Sequence, residues 1–239
     1  MRPTNYPAVS AGDVGWLSEE QMIEVDRIMM DDLHIGLIQM MENAGRNLAR
    51  LVLALTQPRS VLVLSGSGGN GGGGLVAARH LSNAGVNVTV WLSRQADEFS
   101  GVPLRQLDIL QRMGVSIRAD EEVNLSGGFD AIVDALIGYS LRGSPRGRIA
   151  TMIEQIPQAS GTIVSLDTPS GLDVTSGVTP GLAVQAEATM TLALPKVGLR
   201  TAQQVGELYI ADISVPPQVW TALDVPAPDF ALSSIVNVR

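Results

Sequence analysis

From Ser60 onward, short apolar runs rich in β-branched residues alternate with stretches of helical composition. This alternation constrains the fold more than any other feature of the chain. The runs predict strands over residues 60–64, 86–92, 115–118, 131–137, 162–166, 188–194 and 207–213. Between them, residues 75–84, 104–113 and 149–156 read as helices, the first two stopped by Gly85 and Gly114. A glycine just past a helix takes the left-handed conformation that ends it. Strands joined through helices run parallel, and their right-handed crossovers lay helices over the sheet. The expected class is therefore α/β, with a mostly parallel central sheet covered on both sides.

An N-terminal helix pair precedes the alternating part. Ser18-Glu19-Glu20-Gln21 has the form of a capping box, and Met22, Val25 and Met29 follow on one helical face. A second helix begins near Gly36, with Leu37, Met40, Met41, Ala44 and Leu48 as its apolar stripe. The methionines of these helices read as adaptable core filler. Residues 1–17 read as an arm and residues 217–239 as a surface extension of one domain spanning 1–239.

Composition narrows the function. The chain of 239 residues is 45% apolar and 17% charged, enough to bury a full core. Sixteen Lys and Arg against 24 Asp and Glu give a net charge of −8, which argues against a nucleic-acid binder. The absence of cysteine excludes disulfides, thiolate metal sites and a cysteine nucleophile. With His34 and His80 as the only histidines, a multi-histidine metal site is nearly excluded, and His80 is expected to make a local hydrogen bond. Residues 1–15 lack the apolar core of a secretory signal, and no apolar run reaches the roughly 18 residues that span a bilayer. The expectation is a soluble cytoplasmic protein with no membrane partner.

In parallel sheets, ligands bind at the carboxyl ends of strands. Four such ends here carry chemistry. The strand at 60–64 delivers Gly66-Ser-Gly68-Gly69-Asn70-Gly71-Gly72-Gly73-Gly74, and the strand at 131–137 contains Asp134 and delivers Gly138. The strand at 162–166 delivers Asp167-Thr-Pro-Ser170-Gly171, and the strand at 188–194 delivers Pro195-Lys196. The glycine loop matches G-x-G-x-x-G before a helix, where free N–H groups and the helix dipole favour a pyrophosphate. It lacks the G-K-S/T ending of a triphosphate loop, and no acid follows about 20 residues on, where Arg94 stands instead. Asp167, closing an apolar strand, is placed for general acid–base work or, alternatively, for capping a turn. Asn70, Asp134 and Ser170 offer hard oxygen donors that suit an alkali or alkaline-earth cation. Asp134 also admits a plainer reading, a buried acid paired with Arg142 or a backbone amide. Lys196 has two readings, a cation beside a ligand or a surface lysine.

Together these motifs resemble the YjeF N-terminal family, the NAD(P)H-hydrate epimerases. The shared segments are Met41-Glu-Asn-Ala-Gly45, the glycine loop running into Gly74-Leu-Val-Ala-Ala-Arg-His-Leu81, Asp134-Ala-Leu-Ile-Gly138, Leu141-Arg142, Asp167 to Asp173, Pro195 to Leu199, and Asp212-Ile213 with Pro216. They run in the family's order over residues 18–217. The resemblance implies a Rossmann-like three-layer α/β/α domain. It implies an isomerase that interconverts the R and S forms of hydrated NADH or NADPH, a repair of damaged nicotinamide nucleotides. It also implies a bound potassium ion and a homodimer. A dehydratase is often fused after this domain in the family. The expectation here is epimerisation without that fused domain, with a separate dehydratase as a partner in the same pathway.

Carried over by position, the resemblance puts potassium ligands on Asn70, Asp134 and Ser170. It puts substrate contacts on Gly68, Gly69, Asn70, Gly71, Gly72 and Gly73, on the second loop Gly138, Tyr139, Ser140, Leu141, Arg142, Gly143 and Ser144, and on Asp167. Asp167 and Lys196 are the expected catalytic pair. The chain departs from the family's G-x-x-N-N-G-G-D-G at Gly69 and Gly73, and Tyr139-Ser140 replaces the usual Thr-Gly. Two other readings of the same residues stand beside the epimerase: a non-catalytic nucleotide-binding or dimeric scaffold, and an NADP-dependent oxidoreductase using Arg94.

Overall fold

The computed structural model describes residues 1–120 and 128–239. In chain order its elements are β1 (Ala8–Val9), α1 (Glu19–Arg27), α2 (Leu37–Thr56), β2 (Ser60–Ser65), α3 (Gly69–Asn83), β3 (Asn87–Leu92), α4 (Gly101–Arg112), β4 (Ser116–Arg118), β5 (Ala131–Ala135), α5 (Gly147–Gln155), β6 (Thr162–Leu166), β7 (Ala188–Leu192), β8 (Glu207–Ala211), α6 (Pro217–Leu223) and β9 (Ile235–Val238). The strands form one sheet in the order β1-β9-β8-β7-β6-β5-β2-β3-β4. Every pairing is parallel except β8 with β9. Among the described residues no helix is long and apolar enough to cross a membrane.

The two-residue period of a strand explains the layers. On β2, Val61 and Val63 join the core shared with α2, α3 and α4. Leu62 and Leu64 point to the opposite face and pack with Trp91 of β3, Ile132 of β5, and Met152 and Ile153 of α5. The sheet is thus sandwiched in a Rossmann-like three-layer α/β/α arrangement. Helix α1 carries the expected capping box: Gln21 N donates to Ser18 Oγ at 3.2 Å and Ser18 N to Gln21 Oε1 at 2.9 Å. Its Met22 and Val25 pack in a further core with Met40 and Ala44 of α2, Ile213 and Trp220.

The structure corrects several expected boundaries. The glycine run is not only a loop: α3 begins at Gly69, so five glycines of its first turns lie inside the helix. The reason is steric, since a Cβ on Gly71 would fall 1.7 Å from the Gly66 carbonyl oxygen. Strands β5, β7 and β8 each end two residues earlier than expected, at Ala135, Leu192 and Ala211. The stretch expected as a surface extension instead supplies α6, with Val219 and Trp220 buried, and β9, inserted between β1 and β8. The N-terminal arm likewise adds β1 to the sheet and buries Val14 and Leu17.

Strand order reverses between β2 and β5. The chain winds outward from β2 through β3 to β4, then returns to β5 and winds the other way. Loops leaving β2 and β5 therefore part at this point and open a crevice above the carboxyl ends of the sheet.

Candidate active site

A cavity of about 220 Å³ fills this crevice. Its floor is the end of β6 with Leu166 and Asp167; its sides are Gly69, Asn70 and Gly73 of α3 and Gly138, Tyr139 and Ser140 after β5. Helices α1 and α2 close it with Met22, Asp26, Leu37, Met40, Met41 and Ala44.

Asp167 stands at φ 66°, a left-handed conformation uncommon for a residue with a side chain. Such backbone strain clusters at functional sites. Its amide donates to the Met190 carbonyl at 2.7 Å, which holds the turn against β7. Asp167 Oδ2 accepts the Tyr139 N–H at 3.0 Å, and a Cβ on Gly138 would meet that oxygen at 3.2 Å. Asp167 Oδ1 accepts from Lys196 Nζ. Lys196 is wholly buried, and its ammonium also donates to Thr191 Oγ1 at 3.2 Å and the Leu192 carbonyl at 3.0 Å. The surface-lysine reading is therefore excluded. The lysine stands behind Asp167 and does not line the cavity.

Asp134 and Ser170 lie together beside this pair. Asp134 Oδ1 accepts from Ser170 Oγ at 2.6 Å and Leu136 N at 3.3 Å. Its Oδ2 accepts from Ser165 Oγ and Ser170 N, each at 2.8 Å. Complete burial pushes this carboxyl up from the usual carboxylate range, and these hydrogen bonds oppose the shift. No cationic side chain pairs with it among the described residues. Arg142 instead bonds Glu19 of α1 at 2.6 Å, which removes it as Asp134's partner. Asn70 Nδ2 is sealed from solvent and has no hydrogen-bond partner among the described residues.

The structure brings Gly69, Asn70, Gly73, Gly138, Tyr139, Ser140 and Asp167 around one cavity and leaves the other expected contacts outside its lining. Gly68 is the N-cap of α3; Gly71 and Gly72 are consumed by packing. Leu141 is buried, Gly143 turns the loop at φ 68°, and Ser144 Oγ donates to the Pro180 carbonyl at 2.7 Å. His80 bonds Glu42 at 2.8 Å, the local role expected of it.

Sequence reasoning missed the α1 and α2 wall, above all Asp26. A signal was present: Asp26 lies four residues after Met22, so it interrupts the apolar face of α1 with an acid.

Residues 37–198 match the family described as YjeF-related protein N-terminus. The chain is 47% identical over 204 residues to the NAD(P)H-hydrate epimerase of Dehalogenimonas lykanthroporepellens, covering 84% of this chain and 82% of that one. It is 34% identical over 203 residues to the NAD(P)H-hydrate epimerase of Rhodopirellula baltica, covering 82% and 83%. It is 39% identical to the bifunctional NAD(P)H-hydrate repair enzyme Nnr of Hyperthermus butylicus, covering 76% of this chain but 35% of that longer protein. The crystal structure of yeast ynu0 superposes with a TM-score of 0.78 at 24% identity, covering 94% of this chain and all of that one, which bears on fold alone.

Proposed function

This chain belongs to the family of YjeF-related N-terminal domains, and from that membership and its cavity we propose how it acts as an NAD(P)H-hydrate epimerase. The observation that carries the assignment is the 47% identity to an enzyme of that name across most of both chains. The epimeric carbon of hydrated NAD(P)H bears both nitrogen and hydroxyl, so it is a carbinolamine. Inversion needs no base at carbon. Loss of hydroxyl to an iminium and return of water, or ring opening and reclosure, each need a proton moved at oxygen or nitrogen.

Asp167 is the group we assign to that transfer. Its Oδ2 stands in the cavity beside Gly138, while Lys196 and Tyr139 N fix the carboxyl in place. Lys196 acts from behind, holding the Asp167 side chain in place through their buried ion pair. The N-terminus of α3 binds the dinucleotide phosphates, since Gly68 and Gly69 have nothing within 4 Å of a would-be Cβ and their backbone is open to approach. A cavity of about 220 Å³ encloses one ring of the substrate and leaves the rest on this open surface.

Asn70, Asp134 and Ser170 are the residues to hold potassium. One observation supports a cation there: among the described residues the fully buried Asp134 carboxyl has no cationic partner. The donors are all oxygen with one formal charge, which fits a monovalent ion. When bound, the ion supplies positive charge that ties together the segments after β2, β5 and β6. Exposed Ile23, Met30, Leu37 and Ile38 on the N-terminal helices support a homodimer. A dehydratase is the partner activity that consumes the product, and the cytoplasm is the compartment this chemistry suits.

The oxidoreductase reading leaned on Arg94, which stands exposed near Glu98 and does not line the cavity. The test is direct. Purified protein is incubated with one epimer of hydrated NADH, and the epimer ratio is followed by chromatography. The wild type restores the equilibrium ratio faster than buffer, and Asp167→Asn does not. A wild-type rate equal to buffer would sink the assignment.

A further inference from the structure

Helix α1 places in the cavity a second carboxyl, which the catalytic scheme above leaves without a role. Asp26 lines the cavity from the helical wall, while Asp167 lines it from the sheet end. Tyr139 joins the two. Its backbone N–H donates to Asp167 Oδ2 at 3.0 Å, and its hydroxyl donates to Asp26 Oδ2 at 2.6 Å. Asp26 Oδ1 accepts no hydrogen bond among the described residues. The carboxyls differ in company: Asp167 meets the buried Lys196 ammonium, whereas Asp26 has no ion-pair partner among the described residues.

We propose that Asp26 is a catalytic acid of the epimerisation, giving a proton to the departing hydroxyl from the side opposite Asp167. The proposal rests on the epimerase reading. In the first step the Asp26 proton passes to the carbinolamine oxygen, and the C–O bond breaks with its electron pair leaving as water. The ring nitrogen's lone pair forms the C=N bond. Water then adds from the Asp167 side, its oxygen forming the new C–O bond as the C=N pair returns to nitrogen. The proton it sheds goes to Asp167, and exchange with solvent returns both carboxyls to their starting states.

Electrostatics favour this division. Burial pushes the Asp26 carboxyl up from the usual range; the Tyr139 hydrogen bond and the Lys196 charge lower it, and the Asp167 charge raises it. These are the titratable and charged groups that face it, since the cavity residues of α2 are apolar. Burial and the Asp26 carboxyl push the Tyr139 phenol far up, so it remains a donor.

The test measures interconversion of hydrated NADH epimers against pH for the wild type, Asp26→Asn and Tyr139→Phe. An acid contributes about 10²–10⁴-fold, so Asp26→Asn should lower kcat by at least about 100-fold with KM little changed. It should also lose the fall of kcat toward high pH. Tyr139→Phe keeps the carboxyl but removes a hydrogen bond that favours its ionised form, so that fall should move to higher pH. Wild-type turnover with an unaltered Asp26→Asn rate and profile overturns the role of Asp26 alone. Absence of wild-type turnover overturns the epimerase reading and this proposal with it. If circular dichroism shows Asp26→Asn unfolded, Tyr139→Phe decides, and an unmoved profile overturns the proposal.

Discussion

The Lys196 ammonium meets the Asp167 carboxyl with neither side chain reaching solvent, at 0% and 4% exposure. A lysine so buried is tolerated only because all three of its donors are used, on Asp167, Thr191 and Leu192. The pair therefore couples the stability of the fold to the readiness of the site.

Removing one partner leaves the other charge uncompensated. Lys196→Met should cost about 3–5 kcal/mol, the usual range for a broken buried pair. Lys196→Met combined with Asp167→Asn should recover much of that loss, because the stranded charge is gone. Urea unfolding of the four forms reads the coupling as a double-mutant cycle. Additive effects would refute a working ion pair.

The two glycines that replace family side chains are not equivalent. Gly69 has open space around a would-be Cβ, so Gly69→Asn should fold with an unfolding midpoint close to wild type. At Gly73 a Cβ would meet Leu166 Cδ2 at 2.8 Å. Gly73→Asp should therefore cost about 1–3 kcal/mol through overpacking. Adding Leu166→Val, which removes the offending methyl, should return most of it. Equal midpoints for both single variants would contradict this geometry.

The strand ends were legible because burial on both faces leaves an unbroken apolar run, and the break marks the ligand side. Asn70, Gly138 and Asp167 meet at the cavity for that reason. The start of α3 was not legible, because glycine disfavours helix and only the pressure of the Gly66 carbonyl on Gly71 requires it. Asp26 was legible only as an acid on the apolar face of α1, and its role was not, since its partner Tyr139 lies 113 positions away. Ile235–Val238 is four residues in a turn-rich tail, and its place in the sheet comes from pairing with β1 and β8 rather than from its own pattern.

Potassium should raise the melting temperature relative to choline at equal ionic strength, because a ligand that binds only the native state stabilises it by mass action. The pH dependence has a definite sign. Asp134 has its folded pKa raised by burial, so its contribution is fully present below the ordinary carboxylate pKa and is lost as pH rises through the folded value. A bound cation offsets that loss. The potassium increment should therefore grow as pH rises through the folded value, and Ser170→Ala should reduce it. An increment that does not depend on pH would separate the ion from Asp134.

Strand β9 bridges β1 and β8, so a chain ending at Ser234 loses both ladders at once. Ile235 and Val236 are buried at 1% and 3% exposure, and each buried aliphatic side chain is worth about 1.5–3 kcal/mol. The truncated chain should melt at a clearly lower temperature. It should also associate as concentration rises, because β8 would present Leu208, Tyr209, Ile210 and Ala211 on an open, flat edge. Light scattering beside a thermal melt reads both effects. Leu232→Ser is the matched control: that side chain is 90% exposed, so its loss should shift stability by no more than about 0.5 kcal/mol. A truncated chain that melts with the control and stays monodisperse would show that β9 does not hold the sheet edge.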